Sequence, residues 1–134
     1  MARLPRGIRN NNPLNIKKGN NWIGERANQK DKDFEEFETM QMGIRAALKL
    51  IRNYIILGYN TPRKIIHRWA PPIENYPENY ANLVWRHTNL RLDGVLRPDN
   101  KEDITLLAWG MSFVENGTDL PVQDFVAAAK LINW

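Results

Sequence analysis

Apolar residues are spaced in two different ways along this chain, and the change comes near residue 39. Before it, polar and turn residues dominate and the apolar positions fall in short runs. Leu14-Asn-Ile16 and Trp22-Ile-Gly24 read as two short strands on either side of a Gly19-Asn20-Asn21 turn. Phe34 and Phe37 are three apart, which fits a helical turn or an irregular strand rather than clean alternation. A small antiparallel sheet is expected across residues 14–38. Residues 1–13 are basic and then polar, and Asn10-Asn11-Asn12-Pro13 is a loop by composition.

After residue 39 the period becomes helical. Thr39 suits an N-cap, and Ile44, Ala47, Leu48, Ile51 and Tyr54 or Ile55 follow on one face. Thr61-Pro62 starts a second helix that turns Ile65, Ile66 and Trp69 inward, and Pro71-Pro72 forbids its continuation. Pro77 opens a third, with Tyr80, Leu83, Val84 and His87 on its inner side. Asn100 caps a fourth, with Ile104, Leu107, Ala108, Met111 and Val114 at helical spacing and Asn116-Gly117 as its stop. Thr118 or Asp119 with Pro121 starts the last, which buries Phe125, Ala128, Ala129 and Ile132 and is expected to run over 121–133. The expected fold class is α+β: mainly helical, about five helices, with a small antiparallel sheet near the N-terminus, in a single domain over 1–134.

The fourth helix carries the first chemical signal. Its last acidic side chain is Glu115, just before the stop. A helix C-terminus carries partial negative charge, and Phe113 and Val114 remove water. Both effects raise a carboxyl pKa, which is what a general acid needs near neutral pH. The same residue also fits a plain exposed helix end.

Composition narrows the field. The 134 residues include no cysteine, which excludes disulfides, a thiol nucleophile and Cys-built metal sites. Two histidines are too few for a His-built metal centre, and no glycine-rich nucleotide motif or Ser/His/Asp pattern is present. No cofactor or metal is implied. The net charge of +4 suits an anionic partner, either nucleic acid or cell wall, without choosing; nucleic acid rests on charge alone and is the weaker reading. No apolar run reaches a membrane span. Met1 to Arg9 shows no secretory signal, so action outside a cell would need another delivery route.

Amides and aromatics supply the remaining candidates. Asn10, Asn11, Asn12, Asn15, Asn20 and Asn21 serve either turns or a sugar site, since an amide both donates and accepts. Trp22 and Trp69, at loop edges, suit stacking on sugar rings or bases. The stretch from Trp69 to Tyr80 is a loop rich in aromatic and amide groups, and such loops often carry function. Arg63-Lys64 and His67-Arg68 read as a solvated helix face.

Two resemblances follow from these residues. Arg6-Gly-Ile-Arg-Asn-Asn-Asn-Pro-Leu-Asn-Ile16, followed by Trp22-x-Gly24, resembles the opening of phage and prophage proteins often called virion structural proteins. Leu14 stands where that group usually has Gly, and Pro77 where it usually has Thr. The likeness continues through Phe34, Phe37, Gly43-Ile-Arg-Ala46, Arg68-Trp-Ala-Pro71, Glu74-Asn75, Tyr80 and Glu115-Asn-Gly117. More distantly, Asn11-Asn12, Asn15-Ile-Lys17, Trp22-Ile-Gly24, Phe34-x-x-Phe37 and Tyr76 to Tyr80 resemble, in order, the glucosaminidases and lysozyme-like autolysins. Their catalytic Glu helix precedes these motifs; here it follows them, which implies a circular permutation of a lysozyme-like fold.

This second resemblance implies peptidoglycan glycan strands as substrate, with the bond cleaved left open. Glu115 would be the general acid, and the sheet would face it across a cleft. A second carboxylate, where one is needed, is expected at Glu36, with Glu35, Asp33 and Glu74 behind it. Asn12, Asn15, Trp22, Glu74, Asn75 and Tyr80 are the expected cleft residues. The alternative is a phage structural or wall-binding protein that keeps the fold without catalysis and has other virion proteins as partners.

Overall fold

A computed structural model describes residues 3–134. Among them are six helices: α1 (Arg6–Arg9), α2 (Met40–Ile56), α3 (Pro62–Trp69), α4 (Tyr76–Thr88), α5 (Lys101–Asn116) and α6 (Val122–Ala129). The expected starts of α2 and α3 are present. Thr39 Oγ1 accepts the Met42 N–H at 3.2 Å, and Thr61 Oγ1 accepts the Lys64 N–H at 3.1 Å. Asn100 behaves differently. It precedes α5 but turns its side chain back to the Arg97 N–H at 2.8 Å and caps nothing in the helix. Two further bounds differ from expectation. Residues 6–9 make a helical turn inside the basic N-terminal segment, and the last helix stops at Ala129.

The expected α+β class is not what forms. Among the described residues there is no sheet, only two isolated antiparallel bridges, Lys17 to Phe34 and Glu25 to Phe37. The segments do lie side by side and share a few backbone bonds, such as the Glu35 N–H on the Ile16 carbonyl at 3.0 Å, but side chains take many of the groups that a longer ladder would need. Asn12 donates to the Ile16 and Glu35 carbonyls and accepts the Ile16 N–H. Gln29 bonds both backbone groups of Glu36. Asp31 takes the N–H groups of Asp33 and Phe34. Asn15, at φ 53°, also breaks the extended run before Ile16.

One contiguous core joins α2 to α6 with the N-terminal segment. α4 lies along α5, α2 along α6, and α1 rests on α5. Ile44, Leu48, Ile51, Ile65, Ile66, Tyr80, Ile104, Leu107, Met111 and Phe125 are fully enclosed. Leu14 and Phe37, from the non-helical part, are equally buried and bind it to the helices. Leu83 is the exception to the expected inner faces: it is exposed, because α4 turns Ala81 and Val84 inward instead.

The N-terminal segment meets α2 at closest range over Gly43. A Cβ there would stand 1.7 Å from the Asn11 carbonyl oxygen, so no side chain fits without moving one backbone off the other. Gly43→Ala is therefore expected to destabilise the protein by about 3 kcal/mol or more, an overpacking effect against backbone that cannot yield. Thermal melting of the two proteins measures it; an unchanged midpoint would refute this contact.

Candidate active site around Glu115

α5 delivers Glu115 to its last turn, and Gly117, at φ 72°, closes the helix with its N–H on the Phe113 carbonyl at 2.7 Å. Glu115 is half-buried, and two donors from other parts of the chain hold its carboxylate. Asn15 Nδ2 reaches Oε1 at 2.7 Å, and the Tyr80 hydroxyl reaches Oε2 at 2.9 Å. The left-handed backbone at Asn15, which Asn tolerates better than most residues, points its amide at the helix end.

The neighbouring residue fixes the same junction. Asn116 Nδ2 donates to the Pro13 carbonyl at 2.8 Å and the Ser112 carbonyl at 2.9 Å. Gly7 lies directly against this pair of amides. A Cβ on it would come within 2.6 Å of Asn116 Oδ1 and 3.2 Å of Asn15 Oδ1. The bare backbone of α1 thus packs against the groups that orient Glu115. Sequence reasoning singled out neither Asn116 nor Gly7 as support for the acid; the Asn116-Gly117 pair had a sufficient explanation as a helix stop.

Burial pushes the Glu115 carboxyl above its ordinary range, and the bonds from Asn15 and Tyr80 offset only part of that. Its position at a helix C-terminus acts in the same direction. Tyr80 is wholly enclosed, and burial, helped by the Glu115 charge, raises its hydroxyl well above the usual value, so it stays a donor. Tyr76 stands edge-on to Tyr80, ring centres 6.2 Å apart, and is partly open to solvent.

The other expected site residues are distributed unevenly. Asn12 is enclosed, with both amide hydrogens and its oxygen used within the chain, so it braces the loop and presents nothing to a ligand. Trp22 is half-buried and lines a shallow cavity next to Asn20; its indole N–H finds no acceptor among the described residues. Glu74 and Asn75 are exposed on the loop leading into α4, where Asn75 takes φ 62°. Trp69, expected as a stacking surface, donates its indole N–H to the Leu14 carbonyl at 2.8 Å.

Glu36 is committed elsewhere. Burial works against its charge, but the Asp31 and Lys30 N–H groups and the Arg26 guanidinium, at 3.0 Å, outweigh that and hold its pKa below the ordinary value. Asp33 faces Arg6 at 3.2 Å. Glu35 is buried beside Glu25; burial first, and then Glu25, push its carboxyl up to about 7, with Lys18 opposing. None of these carboxylates hydrogen-bonds Glu115, whose side-chain partners are Asn15 and Tyr80. Among the described residues no group of three or more acidic or His side chains is placed to hold a metal ion. No helix there is long and apolar enough to cross a membrane. A larger apolar hollow of about 410 Å³ lies between α5 and α6, but it borders the start of α5 while Glu115 is at the other end.

The fold and this site define a helical protein built around one half-buried carboxylic acid held by two long-range donors. No family model matches the sequence. Protein P5 of Pseudoalteromonas phage PM2 is similar to it, 41% identical over 119 residues that cover 85% of this chain and 72% of that protein. The chain belongs to the family of that phage protein. The phage resemblance of the Arg6–Ile16 opening therefore holds at the level of a phage protein family.

Glu35 gives this region a pH signature. Its folded pKa is raised, so the folded state binds the proton more tightly than the unfolded chain. Stability from this group is full at acid pH and is lost as pH rises from the ordinary Glu range through about 7. Glu35→Gln is expected to stabilise the protein by about 1–3 kcal/mol at pH 8 and by little at pH 4. Denaturant unfolding of both proteins across that range measures the difference, and a gain independent of pH would contradict the assignment.

Proposed function

We propose that this protein cleaves the glycan strands of peptidoglycan, with Glu115 as the general acid and the chain acting as one domain. The observation that carries the reading is the Glu115 carboxyl itself: half-buried, raised in pKa, and oriented by Asn15 and Tyr80. Both partners are donors. When Glu115 is protonated on Oε1, the Asn15 amide nitrogen beside it cannot accept the acidic hydrogen, so that hydrogen is available to a glycosidic oxygen. The order of motifs resembling wall-cleaving glycosidases supports the choice of substrate. Glu74, Asn75 and Trp22 are the proposed contacts for the strand, with Asn15 and Tyr80 holding the acid.

The surroundings favour chemistry with one carboxylate. Proton transfer from Glu115 to the bridging oxygen breaks the bond from the anomeric carbon and leaves that carbon electron-poor. A hydroxyl of the same sugar then closes on it and returns its proton to Glu115. Atoms balance without water, and the product is an anhydro sugar. Water attack under a second carboxylate is the competing route, but Glu36 is tied to Arg26 and the 30–31 backbone.

The second reading, a phage structural or wall-binding protein without catalysis, draws on the relationship to a phage protein. Association with the virion belongs to this reading and is compatible with the first.

One experiment separates them. Purified peptidoglycan is digested with wild-type protein and with Glu115→Gln, and the products are identified by mass. Glu115→Gln is expected to fold, to bind the wall, and to lose on the order of 100-fold or more in cleavage. Anhydro ends support the single-acid route, and reducing ends support hydrolysis. Equal cleavage by both proteins removes Glu115 from the mechanism, and absence of products from wild type favours the structural role.

A further inference from the structure

Asn15 belongs to two places at once. Its amide nitrogen holds Glu115, and it also lines a polar cavity of about 230 Å³ with Lys17, Asn20, Tyr54, Arg68 and Trp69. A second cavity, of about 330 Å³, continues beyond it with Trp22, Lys49, Arg52 and Asn53. The two share Asn20 and Leu50 as walls. Side by side they form a trough from Asn15, which holds the acid, to Trp22, while Glu115 itself lines neither cavity.

The charge of this trough is one-sided. Four cations line it and no carboxylate does. Arg52 is occupied, donating to the Pro98 and Asn133 carbonyls and lying over the Trp134 ring. Lys17, Lys49 and Arg68 form no ion pair among the described residues. Arg68 is held in place without an acid, its guanidinium 5.7 Å from the Tyr54 ring centre and 5.4 Å from that of Tyr59. Aromatic faces orient it and leave its N–H groups for a ligand. The amides of Asn20 and Asn53 add groups that both donate and accept, suited to hydroxyl and N-acetyl substituents.

We infer that this trough is the strand-binding groove of the Glu115 site and that it selects glycan bearing carboxylates, with Lys17 and Arg68 as the groups that meet them. This rests on the glycan-cleaving reading and deepens it. A neutral N-acetylated sugar chain satisfies the amides and the aromatic walls but leaves both cations without partners. A strand carrying acidic substituents, as peptide-bearing peptidoglycan does, fills both requirements. The amide content and the link through Asn15 to an acid favour a glycan over a nucleic-acid strand.

The test uses the full chain with Glu115→Gln as the non-cleaving host. Binding is measured by calorimetry to three probes: soluble peptidoglycan strands with their stem peptides, a neutral N-acetylglucosamine hexamer, and single-stranded DNA of similar length. The strands are expected to bind more tightly than the hexamer, with a margin that shrinks as salt rises. Lys17→Gln and Arg68→Gln, both at exposed positions, are each expected to weaken strand binding up to about fivefold, the scale of one exposed ion pair, and to leave the hexamer unchanged. Melting temperatures confirm that each variant folds. Equal affinity for strands and hexamer, or no effect of either substitution, overturns the inference while Glu115-dependent cleavage by the parent protein leaves the cleavage reading intact. Tighter binding of DNA overturns it in favour of a nucleic-acid groove. No binding of either glycan, together with no cleavage, overturns both.

Discussion

Everything around Glu115 depends on amides that fasten the 10–16 segment to the end of α5. Asn116 holds Pro13, Asn15 holds Glu115, and Asn12 holds the loop from beneath. These bonds are buried or half-buried, where a lost partner costs more than a bond at the surface contributes. They also explain why the N-terminal segment is ordered without a sheet. Many of its backbone groups are satisfied by Asn, Gln, Asp and Glu side chains, and only scattered backbone pairs, such as the Glu35 N–H on the Ile16 carbonyl at 3.0 Å, complete the set.

Glycine makes that fastening possible at two points. Gly7 lets α1 approach the Asn15 and Asn116 oxygens, and Gly43 lets α2 approach the Asn11 carbonyl. The two contacts hold the same short segment from opposite ends, one against α5 by way of its amides and one against α2. The acid is thus oriented by a loop that is itself gripped through bare backbone. Such a grip leaves the carboxyl little freedom to rotate.

The helical part of the chain was legible because its period is long and its caps are conventional. Thr39, Thr61 and Gly117 act where the sequence places them, and nearly all of the predicted inner faces are buried. The N-terminal third was not legible in the same way. Trp22-Ile-Gly24 and Phe34-x-x-Phe37 do lie near pairing partners, but only two bridges form, because sequence pattern cannot show that side chains will outcompete neighbouring strands for the backbone. For the site, Glu115 was visible from its helix end, and Asn15 and Tyr80 from the motifs around them. Glu36 was a plausible partner by residue type alone; its bonds to Arg26 and to the 30–31 backbone depend on a fold of the 26–36 loop that no periodicity announces. The basic trough escaped notice because Lys17, Lys49 and Arg68 come from three separate segments, and Arg68 had an adequate explanation as a solvated helix residue.

The bond from Asn15 to Glu115 joins residues 100 positions apart. Closing so large a loop is entropically costly and is deferred until nearer contacts have formed, so this junction is expected to assemble late in folding. The electrostatic state of Glu115 is then a property of the finished chain only. A nascent polypeptide still lacking its last third contains Asn12, Asn15 and the aromatic walls but neither Glu115 nor Asn116. During synthesis this arrangement is withheld by connectivity alone.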